Sequence, residues 1–147
     1  MTDGTIASDE HVRKMHEIIQ SVSSRENLTL FQMAQAGIRY DPALLERSGI
    51  SRKQYYKALR VLRDVGLIRK FESRYFHTTL GKLVYQEILK IEKYTDYVNE
   101  MKMIDVLKDS GQFSRNDMFT FIKKVSNKEQ DASLLDIATD DYATHHP

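Results

Sequence analysis

A chain of 147 residues with 41% hydrophobic and 29% charged residues is sized for one domain, or one domain with appendages, and buries roughly two-thirds of its unfolded surface. The absence of cysteine excludes a disulfide framework and a thiolate metal site, and no apolar run approaches the length that spans a bilayer. The formal net charge of +1 hides an asymmetry: from Ser51 to Arg74 eight cations face two acids, a net of +6, whereas 127–147 sets one cation against five acids, a net of −4.

Residues 1–8 hold neither a basic segment nor an apolar run, so they read as a disordered N-terminus without a secretory signal. Ser8 or Asp9 can cap a helix over 9–24, in which Val12, Met15, Ile19 and Val22 form one narrow apolar stripe. His11 and His16 on it are five apart, whereas metal pairs on helices prefer four; both read as surface residues. A second helix is expected over Glu26 to Ala36, with Leu28, Phe31, Met33, Ala34 and Gly37 available for packing. Ile38-Arg39-Tyr40 is short, β-branched and aromatic, and suits pairing with a later hairpin.

Asp41-Pro42 opens a short helix through Arg47, because proline at the first helical position lacks a donor that would be orphaned there anyway. Leu44 and Leu45 face inward, and Ser48-Gly49-Ile50 turns the chain into the next helix, with Ile50 filling the angle. That helix, 51–65, has both ends marked. Ser51 with Gln54 makes a capping box, and Gly66 suits a left-handed stop. Tyr55, Leu59 and Leu62 recur at helical spacing as an inward stripe. Arg52, Lys53, Gln54, Tyr56, Lys57, Arg60 and Arg63 occupy the other faces, with no carboxylate before Asp64. A short helix, a glycine turn and a longer basic helix form a helix-turn-helix, whose second helix suits the DNA major groove.

After Gly66 the period becomes extended. Leu67 to Phe71 and Arg74 to Thr78 read as two strands around Glu72-Ser73, a hairpin whose turn lacks the preferred Asn-Gly or Asp-Gly. A hairpin directly after such a helix is a wing, here 67–79, and Arg69, Lys70 and Arg74 would hang from it toward a DNA backbone or minor groove.

I-S-R-K-Q-Y-Y-K-A-L-R-V-L-R-D-V-G-L-I-R-K, followed by R-Y-F-H-T-T-L-G-K-L-V-Y, resembles the winged helix-turn-helix regulators common in archaea, broadly of the MarR/ArsR-like type. Gly66-Leu67-Ile68 matches the end of the reading helix in that pattern, and Thr78 with Gly81 matches its Thr-x-x-Gly entry to the next helix. The resemblance covers Glu26 to Tyr85. It implies the fold and DNA binding, while the metal-binding cysteines of the ArsR type are absent.

From Thr79 to Ser110 apolar residues recur three and four apart without a proline, which predicts a single helix on the order of 40 Å long. That exceeds what a small winged core covers, so a second copy of the chain is the expected partner, through 81–109 and the 9–24 helix; folding back within one chain is the alternative. Ser114 with Asp117 opens a further helix carrying Met118, Phe119, Phe121, Ile122 and Val125. From 127 onward the chain reads as an acidic, flexible tail, and His145-His146 near its end suggests no metal site.

No P-loop, dinucleotide fingerprint, metalloprotease helix or nucleophile elbow is present, so neither an enzyme nor a cofactor is expected. The expected architecture is therefore mostly α with a small β-hairpin wing: a winged helix-turn-helix over 25–80, flanked by a 9–24 helix and by long and short helices over 81–126. The expected function is a sequence-specific, double-stranded DNA-binding transcriptional regulator, cytoplasmic and nucleoid-associated, with no small-molecule effector named by the sequence. Ser51, Arg52, Gln54, Tyr56 and Lys57 are the base-edge candidates, with glutamine suited to adenine and arginine to guanine. Lys53, Arg60, Arg69, Lys70 and Arg74 are the phosphate candidates. A winged-helix protein-interaction module is the alternative, weakened by the lysine and arginine density. RNA binding follows, without an RNP-type aromatic motif.

Overall fold

Most helices of the computed structural model begin where a side chain satisfies an orphaned backbone donor; the helix that starts at Val98 has no such side-chain cap. The structure describes residues 8–111 and 114–125; the expectations for 1–7 and for the 127–147 tail with its histidines lie outside them, as do the side chains of Phe121, Ile122 and Val125. The element order is α1 (Asp9–Ser21), α2 (Arg25–Met33), α3 (Pro42–Ser48), α4 (Arg52–Val65), β1 (Ile68–Phe71), β2 (Arg74–His77), α5 (Thr79–Thr95), α6 (Val98–Ser110) and α7 (Arg115–Val125). Mostly helical, the chain carries one two-stranded antiparallel hairpin. It divides into two compact units, one up to Ile88 and the other from Leu89. Among the described residues no helix is long and apolar enough to cross a membrane.

In the first unit Ser8 caps α1, Ser24 caps α2, and Asp41 caps α3 with Pro42 at its first position. The Ser51–Gln54 capping box opens α4: Ser51 Oγ accepts from the Gln54 N–H and Gln54 Oε1 accepts from the Ser51 N–H. Gly49 and Gly66 end α3 and α4 in the left-handed region, at φ 70° and 93°. The core brings Leu30 and Phe31 of α2 and Ala34 at its C-terminal cap, Leu45 of α3, and Ile50 together with Tyr55, Ala58, Leu59 and Leu62 of α4, Leu67 and Ile68. α2 is shorter than its sequence suggests. Past Met33 the backbone tightens into three-residue turns up to Gly37, whose φ of 90° lies against the Phe76 ring.

Ile38 pairs with Tyr75 across two backbone hydrogen bonds of 2.9 and 2.8 Å, adding a short third edge to the hairpin. The hairpin turns at Glu72-Ser73, with Glu72 at φ 52°, a conformation costly for a residue with a Cβ. At its base, Thr78 Oγ1 donates to the Gly66 carbonyl and accepts from the Gly81 N–H, while the Thr78 N–H bonds the Leu67 carbonyl. Thr78 therefore ties the end of α4, the hairpin base and the first turn of α5 together.

His77 is buried, and its Nε2–H donates to the Phe31 carbonyl at 2.7 Å, with the Phe31 and Tyr85 rings 4.4 and 5.0 Å away. Burial pushes its pKa below the ordinary 6.5; the Phe31 bond opposes this and the nearby Lys82 charge reinforces it. Below the ordinary value the unfolded chain takes up a proton that folded His77 resists, so His77 subtracts stability as pH falls through 6.5 and contributes fully above it. Urea unfolding at about pH 5 and about pH 7.5 is expected to show a smaller gap in His77→Gln than in the natural chain. An equal gap in the two proteins contradicts this.

α1 docks by its C-terminal end, where Ser21 is buried and Val22 packs on the core; Val12, Met15 and Ile19 remain about half exposed or more. The single helix expected over 79–110 is instead two. Thr95 Oγ1 donates to the Glu92 carbonyl at 2.6 Å, and the Asp96 and Tyr97 N–H groups bond three residues back rather than four. Threonine and aspartate favour such local bonds over helix continuation. The apolar spacing carries across the break, which is why the sequence reads as continuous; the two helices are about 26 and 20 Å long. In the second unit Ile104 and Met118 are buried, and Ser114 and Asp117 form a reciprocal cap for α7.

Candidate nucleic-acid interface

The two faces of α4 differ because adjacent helical positions point about 100° apart. Tyr55 is 2% exposed in the core, while its neighbour Tyr56 is 45% exposed. Burial also pushes the Tyr55 phenol up to about 12, with Tyr56 and Tyr75 adding to the shift, so it stays neutral and anchors α4 from inside. Opposite the buried stripe, Lys53, Lys57 and Arg60 project from within about 60° of one another, all exposed. They form a ridge of three cations.

On the flank toward the hairpin, Arg52, Tyr56 and Arg63 share a side. An open cleft of about 410 Å³ lies there, lined by Arg39, Tyr40, Tyr55, Tyr56, Leu59, Arg60, Arg63, Lys70, Ser73 and Tyr75. Four cations and four tyrosines line it without a carboxylate. Arg63 Nε does approach Asp64 at 3.5 Å, an exposed pair that holds little of its charge back. The Tyr40 and Tyr56 rings are nearly parallel, 15° apart with centroids at 5.8 Å, and the Arg52 guanidinium lies over both at 5.6 and 5.8 Å.

The other flank of α4 is chemically different. A cleft of about 550 Å³ is bounded by Glu17, Gln20, Ser21, Ser24, Glu26 and Asn27 together with Gln54, Lys57, Val61 and Val65. Its two carboxylates repel an anion. Although larger, it is the poorer place for a phosphate.

These positions divide the residues that the sequence groups together. Gln54 lies about 160° around the helix from Arg52 and Tyr56, and its Oε1 is already engaged by the Ser51 N–H at 2.8 Å. One acceptor position of that oxygen is thereby taken, while the side-chain amide N–H groups have no partner in the capping box. Ser51 is exposed, with its hydroxyl oxygen bonded to the Gln54 N–H. Arg52, Tyr56 and Lys57 are exposed.

Strand alternation divides the hairpin cations too. Lys70 pairs with Tyr75 on the face that carries Ile68 and His77, whereas Arg69 opposite Phe76, and Arg74 opposite Phe71, point to the other face. All three are exposed, but only Lys70 joins the basic cleft. Arg39 and Tyr40 belong to the site and are absent from the sequence-derived set. The signal for them is the extended Ile38-Arg39-Tyr40 stretch: pairing at Ile38 carries the next two residues to the hairpin flank of α4. Among the described residues no group of histidine, aspartate and glutamate side chains could hold a metal ion.

Compared with protein-family models, curated proteins and solved structures, the chain finds no match in any of the three.

Proposed function

We propose that this chain is a sequence-specific, double-stranded DNA-binding transcriptional regulator built on a winged helix-turn-helix. In this reading α3 and α4 are the two helices, α4 enters the major groove, and the β1–β2 hairpin is the wing on the backbone or in the adjacent minor groove. The observation that carries the proposal is the exposed ridge of Lys53, Lys57 and Arg60, backed by the buried Tyr55, Ala58, Leu59 and Leu62. A helix of about 10–12 Å diameter fits a major groove about 12 Å wide, and a cationic ridge displaces the counterions held by phosphates on both sides.

Roles follow from the faces. Arg52 suits bidentate contact with guanine, and Tyr56 and Lys57 approach neighbouring base edges. Lys53 and Arg60 on the ridge, with Lys70, Arg39 and Arg63 in the cleft, suit a phosphodiester strand passing between α4 and the hairpin. Arg69 and Arg74, on the opposite hairpin face, suit the wing's own backbone or minor-groove contact. Gln54, with its Oε1 in the capping box, retains its amide N–H donors for a base edge or a phosphate.

A second copy of the chain is the proposed partner. The exposed Val12, Met15 and Ile19 of α1 and Leu83, Ile91 and Tyr94 of α5 leave apolar faces that a two-fold dimer would cover. A sedimentation mass twice that of the chain supports it. The density of lysine and arginine on α4 weighs against protein docking at that face.

Two substitutions test the assignment of roles. Arg52→Ala is expected to cost roughly 1–3 kcal/mol on the preferred sequence and to relax preference at one base pair. Arg74→Ala is expected to weaken all duplexes alike and flatten the salt dependence by about one unit of slope. If neither alters binding in a salt-controlled titration, the contact map is wrong.

A further inference from the structure

We infer that Tyr40, which lies outside the two-helix reading unit, is a positioning residue that holds Arg52 for base readout and thereby sets part of the sequence preference. The inference rests on the DNA-binding reading and deepens it. Arg52 occupies the first position of α4, where a long side chain has many rotamers and no neighbouring turn to restrain it. Its guanidinium nevertheless lies 5.6 Å from the Tyr40 ring centroid and 5.8 Å from that of Tyr56, with those two rings 5.8 Å apart. The three groups form a nearly equilateral triangle.

The chemistry of this restraint differs from that of an ion pair. A carboxylate partner would occupy the in-plane N–H donors of the guanidinium, the same donors that grip guanine O6 and N7. Aromatic rings attract the cation through their quadrupole and form no hydrogen bond to its N–H donors of the kind a carboxylate makes. Among the described residues no carboxylate forms an ion pair with Arg52. Arg52 is thus restrained without being consumed.

Tyr40 can serve because it is itself fixed from three directions. Two residues earlier, Ile38 exchanges both backbone hydrogen bonds with Tyr75. One residue later, Asp41 Oδ1 accepts from the Ala43 and Leu44 N–H groups as the cap of α3. The buried Tyr55 ring lies 5.7 Å from the Tyr40 ring, tilted by 59°. The path from the core to the reading arginine is therefore Tyr55, Tyr40, Arg52.

The test has two arms on the full-length chain. In the free protein, NMR should show the Arg52 side-chain protons shifted upfield by the rings in the natural chain and in Tyr40→Phe, with the shift reduced in Tyr40→Leu. In the second arm each protein enriches duplexes from a randomised pool, and binding to the enriched duplex and to a scrambled one is titrated. Tyr40→Leu is expected to lose about 5–10-fold of the discrimination at the guanine that Arg52→Ala also relaxes, a larger loss than on the scrambled duplex. Tyr40→Phe keeps the preference, while Arg52→Lys, which retains the charge but not the plane, loses it. Unshifted Arg52 protons in the natural chain overturn the inference. So does a Tyr40→Leu protein that keeps full discrimination, or a Tyr40→Phe protein that loses as much. A natural chain that enriches no motif overturns the role of Tyr40 together with the DNA-binding reading, whereas intact enrichment in Tyr40→Leu overturns the role of Tyr40 alone.

Discussion

Gly81→Ala is expected to destabilise the first unit by about 2–4 kcal/mol, read as a fall in its urea midpoint. The direction is diagnostic, because alanine in place of glycine inside a helix ordinarily stabilises by about 0.5–1 kcal/mol. Here a Cβ on Gly81 would meet the Leu67 carbonyl oxygen at 2.0 Å and its carbon at 3.0 Å. Both are backbone atoms, and the oxygen already accepts from the Thr78 N–H, so neither can step aside cheaply. Relief means prising the first turn of α5 from the hairpin base, with the Thr78 bonds to Gly66 and Gly81 lost on the way. A midpoint equal to or above that of the natural chain would contradict this account of the close approach.

Thr78 and Gly81 also show what kind of information the chain makes readable in advance. The Thr78–Gly81 step, which the sequence shows as a match to the winged-helix pattern, is local as a cap, three residues apart, whereas the missing Cβ is needed against Leu67, fourteen residues earlier, and only the fold reveals it. The capping box at Ser51, the Asp41-Pro42 start, the left-handed Gly66 and the opposite fates of Tyr55 and Tyr56 are readable because they too are local. Ile38 pairing with the hairpin follows from its β-branched, aromatic surroundings.

What escapes a linear reading depends on register or on competing local bonds. Arg69, Lys70 and Arg74 are close in sequence, yet the Phe71–Arg74 pairing at the turn sends the two arginines to one face and the lysine to the other. Gln54 serves a cap and projects to the flank of α4 away from Arg52 and Tyr56, which composition alone does not reveal. The break at Thr95 to Tyr97 carries neither proline nor glycine; its signal is a threonine followed by an aspartate, each weak alone. Tyr40 joins the site only because the fold closes a distance between an extended strand and the start of α4.

The largest functional effect is expected from reversing two charges on the ridge. Lys57→Glu combined with Arg60→Glu should lower affinity for any duplex by about 100-fold or more, since two attractive phosphate or groove contacts become repulsive ones. Both side chains are exposed on α4, and their neighbours on the inward face are untouched. Thermal stability should therefore stay within about 1 kcal/mol of the natural chain, which separates loss of binding from loss of fold. Fluorescence anisotropy against a labelled duplex, paired with a thermal melt, reads both quantities. Affinity within about 2-fold of the natural chain would place the contact surface elsewhere.

The most direct measurement of the central claim is the affinity of the natural chain for a duplex across a range of salt concentrations. If Arg39, Lys53, Arg60, Arg63, Arg69, Lys70 and Arg74 each neutralise one phosphate, the logarithm of the binding constant should fall against the logarithm of salt with a slope of about −6 per protomer. One sequence should also bind at least about a thousandfold more tightly than the rest. Binding that is absent at low salt, or that does not respond to salt, would contradict the claim that α4 and its hairpin form a DNA-reading surface.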